Sequence, residues 1–140
     1  TAPQSSARVA VNGKDLAFEA YNIEGNNYFK LRDLAMAVSG TAKQFEVAWD
    51  SGKSAINLKS KLAYTPVGGE MRQGDGAAKP YSPGTSKIYK DGNEIKPTAY
   101  LINGNNYFKL RDVASVFDFG VTWNAADLTI MVNTNASYTE

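Results

Sequence analysis

The nonapeptide GNNYFKLRD decides the fold of this chain, because it occurs at residues 25–33 and again, unchanged, at residues 104–112. A repeat of this kind indicates that one structural unit is present twice. We place the two copies at about residues 8–59 and 87–133. The similarity continues on both sides of the nonapeptide through the matched positions Asn12/Asp91, Gly13/Gly92, Ala20/Ala99, Tyr21/Tyr100, Trp49/Trp123 and Ile56/Ile130.

Each copy contains two turns that favour β-hairpins. Asn-Gly and Asp-Gly pairs tolerate the positive φ that two-residue hairpin turns require. The residues around the turns are rich in β-branched and aromatic side chains and predict strands. The four turns are Asn12-Gly13, Glu24-Gly25, Asp91-Gly92 and Asn103-Gly104.

A change of period after Phe29 and Phe108 predicts a short helix in each copy. Apolar residues recur there at i, i+3, i+4 and i+7, which forms one stripe along a helix. Asp33 and Asp112 fall in the first helical turn, where a carboxylate suits the exposed backbone amides. The stripe consists of Leu31, Leu34, Ala35 and Val38 in the first copy and of Leu110, Val113, Ala114 and Phe117 in the second.

The last part of each copy alternates between apolar and other residues, which predicts a half-buried strand followed by a closing strand. The predicted fold class is therefore α+β. It consists of two homologous β-β-β-α-β-β units, each a small antiparallel sheet packed on one short helix. The alternating residues are Phe45, Val47 and Trp49 in the first copy and Phe119, Val121 and Trp123 in the second.

The chain then divides into a first repeat at residues 1–60, a connector at 61–86 and a second repeat at 87–140. The connector is dense in glycine and proline, so we expect it to be mostly irregular or mobile, with an edge strand at 62–64 as one option. Units of this size bury only about 60% of their unfolded surface. We therefore expect the two copies to pack together, and separate beads on a string are the alternative.

The composition excludes several classes of function. The 140 residues include no cysteine and no histidine, so thiol or imidazole catalysis and thiolate or histidine metal sites are excluded. The formal net charge is +1 with both signs mixed along the chain, which argues against a nucleic-acid partner. No apolar run approaches the roughly 20 residues of a membrane span, so we expect no membrane insertion. We predict no catalytic residue, no metal site and no cofactor.

The order of these motifs resembles the copper amine oxidase N-terminal-like domain, a stalk domain of secreted and surface-anchored proteins of Gram-positive bacteria. The similarity rests on a Tyr/Phe-rich strand leading into Leu-Arg-Asp-Leu-Ala at residues 31–35, a short helix, Val-x-Trp-Asp at 47–50 and a terminal Ile-x-Leu strand. It covers both copies, and YTPVGGE at 64–70 is similar to the connector of tandem members. Many members have proline where this chain has Lys30 and Lys109, which would alter the strand-to-helix junction.

The resemblance implies a non-catalytic accessory domain attached to, or standing off, a cell surface. The oxidase chemistry in the family's name needs copper held by histidines and a tyrosine converted to a quinone. This chain has no histidine, and phenylalanine follows both Tyr28 and Tyr107 where the quinone context has an acid. We expect a secreted or cell-surface location, with any export signal already removed.

Aromatic rings beside asparagine amides are candidates for stacking on sugar rings and binding their hydroxyl groups. Strand alternation sends one of Tyr28 and Phe29 outward, so an exposed tyrosine pair is expected in the two copies. The alternative is that Trp and Phe fill the core and the asparagines shape turns. The candidate binding residues are Tyr21, Asn26, Asn27, Tyr28, Tyr100, Asn105, Asn106 and Tyr107.

A second group is expected to be structural. Arg32 and Arg111 could hold a carboxylate or phosphate, but we expect a structural pair with an acid such as Asp50. Catalysis by two carboxylates is not favoured, because the second copy has no acid in place of Glu46 and Asp50. The expected structural residues are Leu31, Arg32, Asp33, Trp49, Leu110, Arg111, Asp112 and Trp123.

Three functions, none of them enzymatic, fit these observations. The leading hypothesis is a spacer, attachment or protein-interaction module whose partner is a cell-wall component, a polysaccharide or another surface protein. The second is a cell-wall or polysaccharide-binding module that uses exposed aromatic residues. The third is self-association into a surface layer or fibre through unpaired sheet edges.

Overall fold

The computed structural model describes residues 1–5 and 7–139, which form a mixed α+β fold with two eight-residue helices. Each half contains an opening hairpin (residues 8–16 and 87–95), a middle hairpin (20–30 and 99–109), a helix and a closing hairpin (45–60 and 120–133). The elements are β1 (Arg8–Val11), β2 (Lys14–Leu16), β3 (Ala20–Ile23), β4 (Asn26–Lys30), α1 (Leu31–Val38), β5 (Phe45–Asp50), β6 (Ala55–Ser60), β7 (Ser82–Pro83), β8 (Lys87–Lys90), β9 (Asn93–Ile95), β10 (Ala99–Ile102), β11 (Asn105–Lys109), α2 (Leu110–Phe117), β12 (Gly120–Asn124) and β13 (Thr129–Asn133).

The four predicted hairpin turns are confirmed. Both central residues of every turn have positive φ, from 50° at Asp91 to 86° at Gly92. Two successive residues of this kind give a turn whose twist matches that of the flanking strands. The opening and middle hairpins of both copies are therefore specified locally.

The two copies of the nonapeptide lie side by side in the central sheet, whose strand order is β3-β4-β11-β10-β7. Strands β4 and β11 pair antiparallel, and Phe29 lies directly opposite Phe108. These phenylalanines hold the same position in the two copies, so a local two-fold axis passes between them, perpendicular to the sheet. The helices that follow β4 and β11 consequently pack on the same face.

Two further sheets are each built from both copies. One has the strand order β5-β6-β8-β9, and the other has the order β12-β13-β1-β2. At the centre of each, the closing hairpin of one copy pairs in parallel with the opening hairpin of the other. Ile56 lies beside Ile88 in the first sheet, and Val9 lies beside Ile130 in the second. All three sheets therefore join the two copies.

This pairing differs from the predicted arrangement of two units that each form their own sheet. Every sheet takes strands from both copies, so separate beads on a string are not what the structure contains. Four strands precede each helix instead of three, because the opening hairpin leaves the central sheet to pair with the other copy. Residues 17–19 and 96–98 carry the chain between the two sheets.

A hydrophobic core lies between the helices and the central sheet, and it contains buried side chains from both copies. The predicted apolar stripes of the helices are buried. Helix α1 contacts both β4 and β11, and so does α2. Phe45 of the first copy stacks on Phe117 of the second at a centroid distance of 4.1 Å. Each helix thus depends on strands from both copies.

The opposite face of the central sheet carries a smaller cluster rich in tyrosine. The N-terminal segment pairs with the connector at Ala2–Lys79 and with the edge strand β3 at Gln4–Tyr21, and Ala2 is part of this cluster. The cluster consists of Ala2, Tyr21, Ile23, Tyr28, Ile102 and Tyr107, with Tyr100 packed against it.

The connector at 61–86 is tied to both copies. No strand forms at 62–64, and β7 instead pairs with β10 at the edge of the central sheet. Tyr64 is buried, the amide of Met71 donates a hydrogen bond to Asp33, and Gln73 Nε2 donates to the carbonyl of Ala17. The connector therefore packs against the rest of the fold through these contacts.

Truncation of the first leucine of either helix tests the shared core. Leu31→Ala and Leu110→Ala are each expected to lower the free energy of unfolding by about 2–5 kcal/mol, because both side chains are buried. Urea unfolding followed by circular dichroism measures the change. Leu62→Ala is the matched control, since Leu62 is exposed. A Leu110→Ala variant as stable as this control would contradict the shared core.

Candidate functional site

Two clefts open at opposite ends of the β4–β11 strand pair, with volumes of about 160 Å³ and 180 Å³. Each lies where the Lys-Leu-Arg end of one nonapeptide meets the Gly-Asn-Asn start of the other. The Arg32 cleft is lined by Lys30, Leu31, Arg32, Val47, Ala48, Trp49, Ile56, Gly104, Asn105 and Asn106. The Arg111 cleft is lined by Gly25, Asn26, Asn27, Lys109, Leu110, Arg111, Val121, Thr122, Trp123 and Ile130.

The two clefts are built from matching positions of the two copies. Nine of the ten lining positions hold the same residue type in both clefts, and only Ala48 and Thr122 differ. By contrast, strands β1 and β8 occupy matching places in the fold and share no residue at any position. The fold therefore tolerates different residues at matched positions, whereas the clefts keep the same side chains.

The antiparallel pairing of β4 with β11 explains why each cleft needs both copies. Tyr107 is the partner of Lys30, and Lys109 is the partner of Tyr28. The start of one strand is thereby placed beside the end of the other. One nonapeptide contributes its asparagines to one cleft and its arginine to the other. The Leu-Arg pairs, which were predicted to be architecture, line the clefts together with Lys30 and Lys109.

The two tryptophans are exposed, which corrects the expectation that they fill the core. Trp49 is 54% exposed and Trp123 is 50% exposed. Both follow buried residues of the same alternation, Val47 and Val121. They lie further along β5 and β12, which are edge strands of their sheets. Each cleft therefore presents one indole ring to solvent.

The tyrosines of the nonapeptides are buried, so the expected exposed tyrosine pair is wrong. Tyr28 is 3% exposed and Tyr107 is 1% exposed, because both pack in the cluster on their face of the sheet, which includes Ala2 and Ile102. Burial raises the pKa of Tyr21 and of Tyr28 to about 12 and also raises the pKa of Tyr107. Tyr100 is partly buried. Of the predicted binding residues, the four asparagines line the clefts and the four tyrosines do not.

The asparagine side chains are partly used by the turns. Asn26 and Asn105 each donate a hydrogen bond from Nδ2 to the backbone carbonyl two residues earlier, at 3.4 Å and 3.3 Å. Asn27 Oδ1 accepts a hydrogen bond from Ser5 Oγ at 2.7 Å. The side-chain oxygens of Asn26 and Asn105 take no part in these turn bonds, so they remain acceptors at the cleft walls.

The two arginines do not form the expected pair with an acid such as Asp50. Arg32 Nη1 donates to the hydroxyl of Tyr64 at 3.3 Å, and the guanidinium lies 5.9 Å from the centre of that ring. Arg111 is exposed. Within residues 1–5 and 7–139, the ion pairs involve other cations, and neither arginine is among them. The predicted ion pairs are absent from the described residues. The prediction was not based on an acid at a matching position for each arginine.

Asp33 and Asp112 accept hydrogen bonds from loop amides and do not line the clefts. Asp33 Oδ1 accepts a hydrogen bond from the Met71 amide at 2.9 Å, and Oδ2 has no partner although the side chain is fully buried. Burial raises the pKa of this carboxyl group. Asp112 accepts a hydrogen bond from the Thr98 amide at 2.7 Å. Both are therefore structural contacts of the two helix starts.

The described part of the chain has neither a cluster of metal-ligating side chains nor a membrane-spanning helix. There, no three acidic side chains come together as potential ligands of a metal ion. No helix in the same residues has the length and apolar character needed to cross a bilayer.

Replacement of Asp33 tests the effect of its buried charge. A raised folded-state pKa means that the proton binds the folded chain more tightly, so the carboxyl group lowers stability progressively as pH rises above its unfolded pKa. Asp33→Asn keeps an oxygen for the Met71 amide and removes the charge. We expect its stability relative to the parent to increase from pH 3 to pH 7, as measured by urea unfolding at each pH.

Asp112→Asn serves as the control, since Asp112 is only partly buried. It should show a smaller change with pH than Asp33→Asn. A stability difference between Asp33→Asn and the parent that stays constant over this range would contradict the assignment of a buried charge.

Comparison with known proteins assigns neither a family nor a function to the chain. No family model, curated protein or solved structure gave a significant match to the chain. The resemblance to the copper amine oxidase N-terminal-like domain therefore stays a prediction from the sequence motifs, and the function has to be argued from the clefts.

Proposed function

We propose that this chain is a non-catalytic accessory module of a secreted or surface protein of bacteria, and that it attaches to a polysaccharide through its two clefts. The observation that carries the proposal is the exposure of Trp49 and Trp123 at matching positions, each in a cleft with two asparagines. Among the three hypotheses from the sequence, the polysaccharide-binding module is the one that these clefts favour.

The chemistry of the clefts supports this assignment. An indole ring is a large apolar surface, and leaving it half exposed forgoes part of the stabilisation that burial would give. Such a ring provides a flat face for the apolar side of a sugar, while asparagine amides bind hydroxyl groups. Both copies keep this combination in spite of the differences elsewhere between them.

The arrangement of the clefts suits a polymer better than a single small molecule. Strand β4 has five residues, so the clefts at its two ends lie on the order of 15 Å apart. A chain with repeated sugar units could occupy both clefts at once. Two weak sites joined in this way bind much more tightly than either one alone.

The location and evolutionary origin belong to the same proposal. The motif order that resembles a tandem stalk domain supports an extracellular accessory role. We infer that the chain arose by duplication of one unit with four strands before its helix and two after it, and that the opening hairpins are now paired across the two copies.

Substitution of the tryptophans tests the proposed attachment. Isothermal titration calorimetry with soluble cell-wall polysaccharide fragments and other glycans is expected to give two sites per chain. Trp49→Ala and Trp123→Ala should each leave one site, and the double variant should lose binding at least tenfold because both stacking faces are gone.

Leu62→Ala, which removes an exposed side chain of the connector, should keep both sites. A glycan panel without any binder, or a double tryptophan variant that binds like the parent, would overturn the proposal.

A further inference from the structure

The two clefts share an electrostatic property that the proposed function does not require. Each lining contains one lysine and one arginine and no acidic residue: Lys30 and Arg32 in one, Lys109 and Arg111 in the other. None of these four cations belongs to an ion pair within the described residues. The formal net charge of the whole chain is only +1, so the four cations of the clefts are a local excess of positive charge.

The cations of the Arg32 cleft contact aromatic rings and make no ion pair within the described residues, although the Tyr64 hydroxyl that Arg32 contacts also donates a hydrogen bond to Glu70. Arg32 lies over the ring of Tyr64, and Lys30 Nζ lies 5.9 Å from the ring centre of Tyr107. Contacts with aromatic rings restrain a cation and leave its charge available to a ligand. The cleft therefore has a pre-positioned pair of positive groups.

Two acidic residues adjoin the linings in the chain, and the charge of Arg32 adds to the hydrogen bonds from Thr65 in lowering the pKa of one of them, Glu46. Glu46 precedes Val47, and its carboxylate accepts hydrogen bonds from the amide and hydroxyl of Thr65. Glu24 precedes Gly25 at an exposed turn. Neither makes an ion pair with an arginine in the part of the chain that the structure describes.

We propose that both clefts select sugars that carry a carboxylate, such as uronic acids, with the arginine as the group that binds the carboxylate. This inference rests on the proposed polysaccharide-binding function and names its ligand class. A guanidinium binds a carboxylate through two parallel hydrogen bonds, and the lysine adds a second positive charge.

The rest of each cleft favours a sugar as the carrier of that carboxylate. The tryptophan ring and the asparagine amides suit a ring with several hydroxyl groups, whereas an acidic peptide would use the cations alone. The volumes of about 160 Å³ and 180 Å³ lie below the roughly 300 Å³ of pockets for drug-sized ligands. Each cleft therefore fits one sugar ring of a longer chain.

The test compares a trimer of galacturonic acid with a trimer of galactose on the complete chain, by tryptophan fluorescence and calorimetry. We expect the acidic trimer to bind both clefts and to weaken as salt is added. Arg32→Gln and Arg111→Gln should each weaken one site by about tenfold to a hundredfold, the range for a hydrogen bond to a charged group. Arg72→Gln, an exposed arginine of the connector, should leave both sites unchanged.

The outcomes separate this inference from the proposed function. Equal binding of both trimers, with no effect of the arginine substitutions, overturns the carboxylate selection and leaves polysaccharide attachment standing. Absence of binding by the whole glycan panel overturns both. Binding of tetraglutamate or inorganic phosphate as tight as that of the acidic trimer would show a general anion site and would also overturn the inference.

Circular dichroism melting checks that each variant is folded. Arg111 is exposed, so Arg111→Gln should fold like the parent. If Arg32→Gln unfolds because the Tyr64 contact is lost, Arg32→Lys takes its place in the test. This variant keeps the positive charge and removes the paired hydrogen bonds. Parental affinity of Arg32→Lys and Arg111→Gln together would then count against the arginine as the carboxylate-binding group.

Discussion

The antiparallel pairing of β4 with β11 is the interaction on which the rest of the structure depends. Because Phe29 faces Phe108 at the local two-fold axis, both phenylalanines enter the helical core and both tyrosines enter the opposite cluster. A slip of one residue would exchange these faces and place phenolic hydroxyl groups in the apolar core. The register thus requires the same alternation in both strands, which accounts for the Tyr-Phe part of the repeated nonapeptide.

The same pairing creates the clefts and explains the remainder of the repeat. The asparagines of one copy come to lie beside the lysine and arginine of the other at both ends of the strand pair. Exposed tryptophans and unpaired cations do little for the stability of a small fold, and departures from locally optimal choices are expected where a protein functions. The identity of the nonapeptides therefore combines a requirement of the register with a requirement of two equivalent clefts.

Local features could be predicted from the sequence, and features set by the other copy could not. The turn at Asn12-Gly13 and the stripe that includes Leu31 depend on neighbouring residues, and both were predicted correctly. The burial of Tyr28 depends on Ala2 and on strands of the second copy, and the exposure of Trp49 depends on the place of β5 at the edge of its sheet. The clefts did have one signal in the sequence: Lys30 and Arg32, which the core does not require, are repeated unchanged in the second copy.

The central claim is that the two nonapeptide strands are neighbours within one chain, and nuclear Overhauser effects test it most directly. In a monomer confirmed by sedimentation, backbone protons of Phe29 and Phe108 should show mutual cross-peaks, and so should those of Val9 and Ile130. These cross-peaks must be absent between differently labelled chains in a mixed sample. Cross-peaks confined to each half of the chain, with none between Phe29 and Phe108, would contradict the shared sheets and the clefts built from them.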